Sequence, residues 1–331
     1  MVAFRNEVNH LSGLLKCLKE QVLNKPYEVI LINDHSDDGS EASILSFIEN
    51  HQLRDKIKLI SLPDECFGKA NAIQAGCHES KYEVVLVTDA DCILGKNWAN
   101  EMSQGFESCN DRFIIGMVVP EKTNNISKAF FSLDFISLTA SGACAALHGN
   151  PFICNGANMA FTKSLWFKYY EFRKAKNYLS GDDVFFLHFV KNNHLAEIDY
   201  KLCPEAFVET VMPDNWFDFF SQRARWGGKA NSYNDFFSVC ISIVVLLLNV
   251  LLVISVITSV FHPGYMKYSG AIWLGKAIID FLFLFYVSKF INRTGLLKYY
   301  MFFFLIYPFY IATTMVVIAF KKVYWKGRKV S

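Results

Sequence analysis

Two aspartates separated by one residue, Asp89 and Asp91, follow an apolar run over residues 82–88. Such a run predicts a buried strand, so both carboxylates would lie at the strand's end. Neighbouring carboxylates repel each other unless a cation lies between them. A divalent cation with open positions for phosphate oxygens would remove that repulsion, whereas the alternative is a solvated loop. The pair therefore marks a candidate site for a cation and a phosphate ligand.

Two further acidic segments stand at predicted element boundaries. Residues 33–40 follow a predicted strand over residues 27–32, and Asp182 and Asp183 precede an apolar run over residues 184–190. Aspartate is common in turns and at the first positions of helices, where it caps backbone N–H groups. Capping is therefore the alternative to ligand binding in both segments.

A fourth candidate group lies further along the chain, where Gln222, Arg225 and Trp226 are spaced i, i+3 and i+4. That spacing places the three side chains on one face of a helix. An amide, a guanidinium that donates two parallel hydrogen bonds, and an aromatic plate together suit a phosphate and an acceptor ring. A basic collar at a membrane surface is the alternative, because a long apolar run begins at residue 236.

Alternating elements must position these residues. Strands are predicted by the apolar runs at residues 27–32, 57–62 and 82–88. Helices are predicted by the segments of helical spacing at residues 8–23, 40–51 and 68–80. The two kinds of segment alternate along the chain. This alternation predicts a parallel sheet flanked by helices, whose ligands bind at the carboxyl ends of the strands. Only a short strand precedes Arg5, so we expect the native protein to have more residues upstream.

The C-terminal third contains three long apolar stretches, at residues 236–261, 271–291 and 300–320. The first has no charged residue and at 26 residues is long enough to cross a bilayer. The second carries Lys276 and Asp280, which are four residues apart and can pair on one helix face. We therefore expect membrane helices after the globular part.

Composition divides the chain into a predicted globular domain, residues 1–233, and a predicted membrane domain, residues 234–331, with a basic tail. Apolar residues make up 52% of the chain, which excludes a disordered protein. The formal net charge of +2 gives no basic field for nucleic acid. The aromatic-rich segment at residues 127–152 suits an interfacial helix or core packing, and core packing is favoured.

Taken in order, these pieces resemble glycosyltransferase family 2, in its membrane-bound branch of cellulose, chitin and hyaluronan synthases and ceramide glucosyltransferases. The resemblance covers residues 2–231 and the membrane helices. The segments that carry it are Arg5-Asn6-Glu7, Asn33-Asp34 with Asp38-Gly39-Ser40, Gly68-Lys69-Ala70-Asn71-Ala72, Asp89-Ala90-Asp91, Gly156-Ala157-Asn158, Gly181-Asp182-Asp183 and Gln222-x-x-Arg225-Trp226. It implies the GT-A fold, an α/β class with a Rossmann-like, mostly parallel sheet, followed by transmembrane helices.

The resemblance also implies a donor site for a nucleotide-diphosphate sugar, with a uridine donor favoured. Asp34 would contact the nucleoside, and Glu7 would shape the base pocket. Lys69 would lie near the diphosphate and Asp89 on the ribose side. Asp91 would ligate Mg²⁺ or Mn²⁺.

The implied catalytic residues are Asp183, Asp182 and Arg225. Asp183 would be the general base for an acceptor hydroxyl, and Asp182 stands where the family usually has glutamate. The acceptor and diphosphate end of the site would be lined by Asn158, Gln222 and Trp226. A base opposite the leaving group implies transfer with inversion.

The acceptor is expected to be a membrane-associated hydroxyl, and single-sugar transfer to a lipid is favoured over polymer synthesis. A catalytically inactive scaffold and a small transporter are the alternatives from other classes. The basic tail places the C-terminus in the cytoplasm by the positive-inside rule, and the globular domain is expected there too. If the globular domain and the C-terminus both lie in the cytoplasm, the chain must cross the membrane an even number of times. The sequence, however, contains three long apolar stretches. We expect a bacterial inner-membrane protein.

Overall fold

The computed structural model describes most of the chain, namely residues 1–106, 111–176, 182–228, 235–320, 324–325 and 328–329. It divides into two compact units. The first comprises Met1–Val119 and Ser141–Val211, and the second comprises Pro120–Ala140 and Met212–Ser331. Residues 120–140 and 212–228 thus group with the apolar helices, while the predicted domain boundary at residue 233 stays a prediction.

The first unit is built on strands that, in chain order, are β1 (Val2–Phe4), β2 (Val29–Asn33), β3 (Ile57–Ser61), β4 (Val84–Asp89), β5 (Cys92–Leu94), β6 (Arg112–Gly116), β7 (Val118–Pro120), β8 (Met159–Thr162), β9 (Glu197–Lys201) and β10 (Val208–Thr210). Seven of them form one sheet in the order β3-β2-β1-β4-β8-β6-β9. Only β8 runs antiparallel to its neighbours. Strands β5, β10 and β7 form a smaller sheet.

The register of the large sheet brings the ends of three strands together. Phe4 of β1 pairs with Asn33 of β2, and Ala3 of β1 pairs with Asp89 of β4. Because these strands are parallel, the segments that follow them leave from one edge of the sheet. The predicted mostly parallel α/β sheet is therefore confirmed. Its short first strand, β1, lies between β2 and β4, the two strands that are followed by acidic segments.

Helices alternate with the strands along the chain, as the apolar spacing predicts. In chain order they are α1 (Val8–Lys19), α2 (Ser40–Asn50), α3 (Lys69–Glu79), α4 (Trp98–Met102), α5 (Ile126–Leu147), α6 (Lys163–Lys176) and α7 (Asp182–Asn192). In α1 the buried residues are Leu11, Leu14, Leu15 and Leu18, an i, i+3, i+4, i+7 stripe. Every residue of β2 is buried, as expected of a strand covered on both faces.

The second unit contains the helices α8 (Trp216–Gly227), α9 (Phe236–Phe261), α10 (Met266–Phe290) and α11 (Tyr300–Phe320), and Pro308 lies inside α11. Four helices of the described residues are long and apolar enough to cross a membrane, at Ile126–Leu147, Phe236–Phe261, Pro263–Phe290 and Thr294–Thr314. Three of them correspond to the predicted stretches. The helix that corresponds to the predicted stretch at residues 271–291 begins earlier, at Pro263.

The additional candidate, α5, carries the aromatic residues Phe130, Phe131 and Phe135, all of which are buried. The ring of Phe131 stacks on Phe219 of α8 with centroids 4.1 Å apart. Core packing, the favoured interpretation of this segment, thus accounts for its aromatic side chains. By its length and composition, α5 nevertheless also qualifies as a possible membrane helix.

Polar contacts fix the apolar helices of the second unit. Lys276 and Asp280 form the ion pair that their spacing predicts. In the connector between α10 and α11, the Arg293 guanidinium donates to the carbonyl of Pro120 at 2.7 Å. The Tyr299 hydroxyl donates to the carbonyl of Asn124, also at 2.7 Å. The connector is therefore held against the chain segment that follows strand β7.

Candidate active site

A lysine, two aspartates and a glycine meet in the first unit. Lys69, the first residue of α3, forms an ion pair with Asp89 at the end of β4. Its Nζ also donates to the carbonyl of Gly156 at 2.9 Å. The N–H of Gly156 donates to Oδ2 of Asp183 at 3.1 Å. Three sequence-predicted residues, Lys69, Asp89 and Asp183, are thus brought together around one glycine.

Gly156 lies close to both side chains. A Cβ there would lie 2.8 Å from Nζ of Lys69 and 3.4 Å from Cβ of Asp183. A side chain at this position would therefore displace the Lys69 ammonium group from its place beside the glycine.

The charges of this group keep Lys69 protonated. Burial alone would lower the pKa of Lys69, but the carboxylate of Asp89 and the charge of Asp183 raise that pKa above its usual value. An ammonium group held among carboxylates at a strand end can bind a phosphate oxygen as a fixed positive charge.

Asp91 lies in a carboxylate-rich environment. Burial, followed by the negative charges of Asp89 and Glu7, raises the pKa of Asp91 to about 6. A hard divalent cation would relieve this repulsion, so the donor set fits Mg²⁺ or Mn²⁺. No group of three His, Cys, Asp or Glu residues that would complete a protein-only metal site occurs within the described ranges. Ligand oxygens and water would therefore have to supply the other positions.

Asp34 connects the end of β2 with the start of α3. Its side chain is buried, and Oδ2 accepts the N–H of Gly68 at 3.0 Å. Oδ1 lies 3.1 Å from Nδ1 of His35. The backbone N–H of Asp34 in turn donates to the carbonyl of Phe4 at 2.9 Å. The residue predicted to contact the nucleoside is therefore held at the sheet edge by three segments.

The capping role in residues 33–40 falls to Asp38. Its carboxylate accepts the N–H groups of Val8 and Ser40, each at 3.0 Å. Burial alone would raise the pKa of Asp38, but hydrogen bonds from Ser40 and Val8 lower that pKa below its usual value. Capping therefore occurs in this segment at Asp38, while ligand binding by Asp34 stays a prediction.

The adjacent aspartates at the start of α7 have different partners. Asp182 is buried and forms an ion pair with Nε of Arg173, and the Tyr169 hydroxyl donates to it at 3.3 Å. Asp183, its partly exposed neighbour, accepts the N–H of Gly156 instead. Asp182 therefore anchors the helix, whereas Asp183 lies beside Lys69.

Asn158, which is expected on the acceptor side, lies in the core of the first unit, and its acceptor-side role stays a prediction. The side chain is 0% exposed. Its amide donates to the carbonyls of Met117 and Ala206 at 2.9 and 2.8 Å and accepts Nε1–H of Trp98 at 2.9 Å. A Cβ on the neighbouring Gly116 would lie 2.2 Å from this amide. Asn158 is therefore a positioning residue that joins three segments of the core.

In the second unit, α8 carries the predicted residues Gln222, Arg225 and Trp226, all partly buried. The buried arginine of this helix is Arg223, whose guanidinium pairs with Asp134 of α5 at 2.5 Å. The same guanidinium lies over the ring of Trp226, 4.3 Å from its centroid. The interior of the unit thus holds an ion pair next to the predicted acceptor-side tryptophan.

A match to a family model decides the family. The model described as Glycosyl transferase family 2 matches residues 1–166, half of the chain. The chain belongs to glycosyltransferase family 2. The matched part contains Lys69 and Asp89, and it ends before α7 and α8.

Curated relatives of this family 2 protein include polysaccharide synthases. It is 27% identical over 224 residues to the chondroitin synthase of Pasteurella multocida, covering 68% of this chain and 21% of that one. It is 27% identical over 252 residues to the poly-beta-1,6-N-acetyl-D-glucosamine synthase of Staphylococcus epidermidis, covering 70% and 58%. The family 2 chain therefore spans about a fifth and about three fifths, respectively, of the lengths of these two relatives.

Among solved structures, the family 2 chain is similar to the mannosyltransferase PcManGT from Pyrobaculum calidifontis in complex with GDP-Man and Mn²⁺. The TM-score is 0.54 at 17% identity, and the likeness covers 96% of this chain and 86% of that one. At this identity the likeness establishes the GT-A fold alone.

Sequence reasoning did not single out several side chains that contact predicted site residues. Arg173 and Arg223 carry no spacing signal that would distinguish a buried ion-pair partner from a surface arginine. His35 and Phe67, whose rings pack at a tilt of 37° beside Asp34, lie in loops next to recognised segments. Each partner is set by contacts between distant segments, which local spacing does not encode.

Replacing Asn158 by alanine is expected to destabilise the first unit without altering the donor-side side chains. The change leaves two carbonyls and the Trp98 N–H without partners, at a cost of about 1–3 kcal/mol for each buried group. Thermal unfolding of the detergent-purified protein measures this loss. The exposed Asn193→Ala, which removes one hydrogen bond to a helix carbonyl, is the control. Equal unfolding midpoints for both variants would contradict the expectation.

Proposed function

We propose that this chain transfers a sugar, with inversion, from a nucleotide-diphosphate sugar to a hydroxyl of a membrane-associated acceptor. The observation that carries the proposal is the group formed by Lys69, Asp89, Gly156 and Asp183 in a family 2 chain. It places a fixed positive charge, suited to a leaving diphosphate, beside a carboxylate suited to accept a proton.

Asp183 acts as the general base. An alcohol is too weak an acid to attack unaided, so a carboxylate within hydrogen-bond reach accepts its proton as the new bond forms. The N–H groups of Gly156 and Val184 contact the two carboxylate oxygens at 3.1 and 2.9 Å and hold the group in place. Asp182 supports this orientation by anchoring the same helix to Arg173.

The leaving diphosphate is stabilised on the donor side. Lys69 contacts its developing negative charge. Asp91, next to Asp89, holds a Mg²⁺ or Mn²⁺ ion, which when bound neutralises charge on the diphosphate. Asp34 contacts the nucleoside, and Glu7 shapes the base pocket.

The roles proposed for α8 rest on the resemblance of its motif. Arg225 assists charge stabilisation, and Gln222 and Trp226 line the acceptor and diphosphate end. Intact Asp91, Asp183 and Arg225 argue against the inactive-scaffold alternative, because loss of any of them would have favoured it.

The acceptor is a lipid hydroxyl that receives one sugar. Helices able to cross a membrane would hold the enzyme at the bilayer, where such an acceptor resides. Polymer synthesis is the second candidate, and the names of the chondroitin and poly-beta-1,6-N-acetyl-D-glucosamine synthases favour it. Product length distinguishes the two, because a single transfer gives one discrete glycolipid and a synthase gives a ladder.

We place the catalytic residues at the cytoplasmic face of a bacterial inner membrane, where nucleotide sugars are made. Arg293 and Tyr299 hold the α10–α11 connector against residues 120–124. The connector then shares a membrane face with those residues, and α9 and α10 form a hairpin that crosses and returns.

Release of nucleoside diphosphate tests the proposed function. Detergent-purified protein is incubated with a lipid extract, Mg²⁺ or Mn²⁺, and a panel of UDP- and GDP-sugars. GDP-Man is included because the mannosyltransferase of similar fold was solved with it. Release from one donor that stops on addition of EDTA and resumes with excess metal supports the proposal. No release from any donor of the panel would contradict it.

A further inference from the structure

His35 has two energetically unfavourable features, a left-handed backbone conformation and a buried ring nitrogen without a hydrogen-bond partner among the described residues. Its φ is +59°, in the left-handed region that side chains other than glycine rarely adopt. Its Nε2 is buried and has no hydrogen-bond partner among the described residues. Strained backbone and unsatisfied polar atoms concentrate at functional sites. The position therefore invites a functional explanation.

The imidazole of His35 is held between two groups. Nδ1 lies 3.1 Å from Oδ1 of Asp34, and the ring packs on Phe67 with centroids 4.6 Å apart and planes 37° apart. His35 thereby connects the proposed nucleoside-binding carboxylate to an aromatic ring on a second loop.

Phe67 is the exposed member of this group. Its side chain is 46% exposed although it directly precedes Gly68, whose N–H is bound by Asp34. A large apolar ring exposed beside a buried carboxylate combines a stacking surface with a hydrogen-bond acceptor. Those two features are what a planar heterocycle with polar edges needs.

We propose that Phe67 and His35 form the aromatic wall of the pocket for the donor's nucleobase. The base stacks on Phe67, and His35 is the positioning residue that holds both the Phe67 ring and the Asp34 carboxylate. This inference rests on the proposed function, in which Asp34 contacts the nucleoside. Stacking tolerates any base, so the wall supplies affinity rather than discrimination between bases.

The first test compares Phe67→Ala with Phe172→Ala, a partly exposed phenylalanine of α6 in the same unit. UDP and GDP are titrated calorimetrically into the whole chain in detergent with Mn²⁺. Phe67→Ala is expected to weaken binding of the nucleotide by about tenfold or more, as loss of a base–aromatic stack does. Phe172→Ala is expected to bind as the wild type does, and Phe67→Trp is expected to retain affinity.

The second test separates strain from function at His35. His35→Gly and His194→Gly both remove a side chain from a residue with positive φ, which is +50° at the exposed His194. Both changes relieve backbone strain because glycine adopts this backbone freely, so His35→Gly should lower the unfolding temperature only through the loss of its contacts with Phe67 and Asp34. Only His35→Gly is expected to weaken nucleotide binding. Inorganic pyrophosphate, which has no base, should bind equally to both variants and the wild type.

The outcomes distinguish the inference from the proposed function. If the wild type binds neither nucleotide, the proposed function fails and this inference with it. If the wild type binds but Phe67→Ala and His35→Gly bind equally well, the inference alone is overturned. A parallel loss of pyrophosphate binding also overturns it, because the wall would then act on the phosphates.

Discussion

Asp183→Asn is expected to lower the turnover number by about 10²–10⁴-fold, the usual contribution of a general base. The amide keeps the size of the side chain but cannot take the proton of the acceptor hydroxyl. Its one oxygen can still accept the N–H of Gly156, which meets Asp183 at 3.1 Å, whereas the N–H of Val184 loses its side-chain acceptor. Nucleoside diphosphate release at saturating donor measures the effect.

Binding and stability controls make the Asp183 result specific. Asp183→Asn should bind UDP or GDP with nearly the wild-type affinity, because the base acts on the acceptor. Asp55→Asn, which removes an exposed aspartate of the same unit, should leave turnover unchanged. A variant of Asp183 that retains turnover within a few-fold of the wild type would rule out its role as the base.

Asp134→Ala is expected to destabilise the protein by about 3–5 kcal/mol, because it leaves the buried guanidinium of Arg223 without its counter-charge. The two side chains, of Arg223 and Asp134, are only 7% and 8% exposed. The arginine also packs over Phe219 and Trp226, with its guanidinium 4.9 and 4.3 Å from their ring centroids. Denaturant titration in mixed micelles, followed by tryptophan fluorescence, measures the free energy of unfolding.

Two further variants test whether the missing counter-charge causes that loss. Replacing both partners, Asp134→Leu with Arg223→Met, removes the charges together and should recover most of the stability. Arg54→Ala breaks an exposed pair with Glu49, whose side chains are 76% and 60% exposed, and should cost at most about 1 kcal/mol. If Asp134→Ala cost no more than Arg54→Ala, the buried pair would have no structural importance.

Local sequence determined the elements and the ends at which polar residues stand. The apolar runs that became β2 and β4 both form strands that stop at polar residues, and every residue of β2 and half of those of β4 are buried. The leucine spacing of α1 and the uncharged run of α9 likewise specify amphipathic and membrane-compatible helices. Burial of apolar surface follows from composition and period, which are local properties.

Tertiary structure decided which polar side chain meets which partner. Asp182 and Asp183 are chemically identical neighbours, yet one pairs with Arg173 and the other with the backbone of Gly156. Successive residues of a helix point about 100° apart, so each meets a different distant segment. Arg223, rather than Arg225, takes the buried partner by the same geometry.

The same reason explains Asn158, which the motif assigned to the acceptor side and the fold placed in the core. Its three partners come from separate segments around β7, β10 and α4. A buried amide takes whichever donors and acceptors those segments leave unpaired. Sequence by itself therefore determined where the elements and polar ends fall, and only the packing of distant segments decided which polar groups stay open to a ligand.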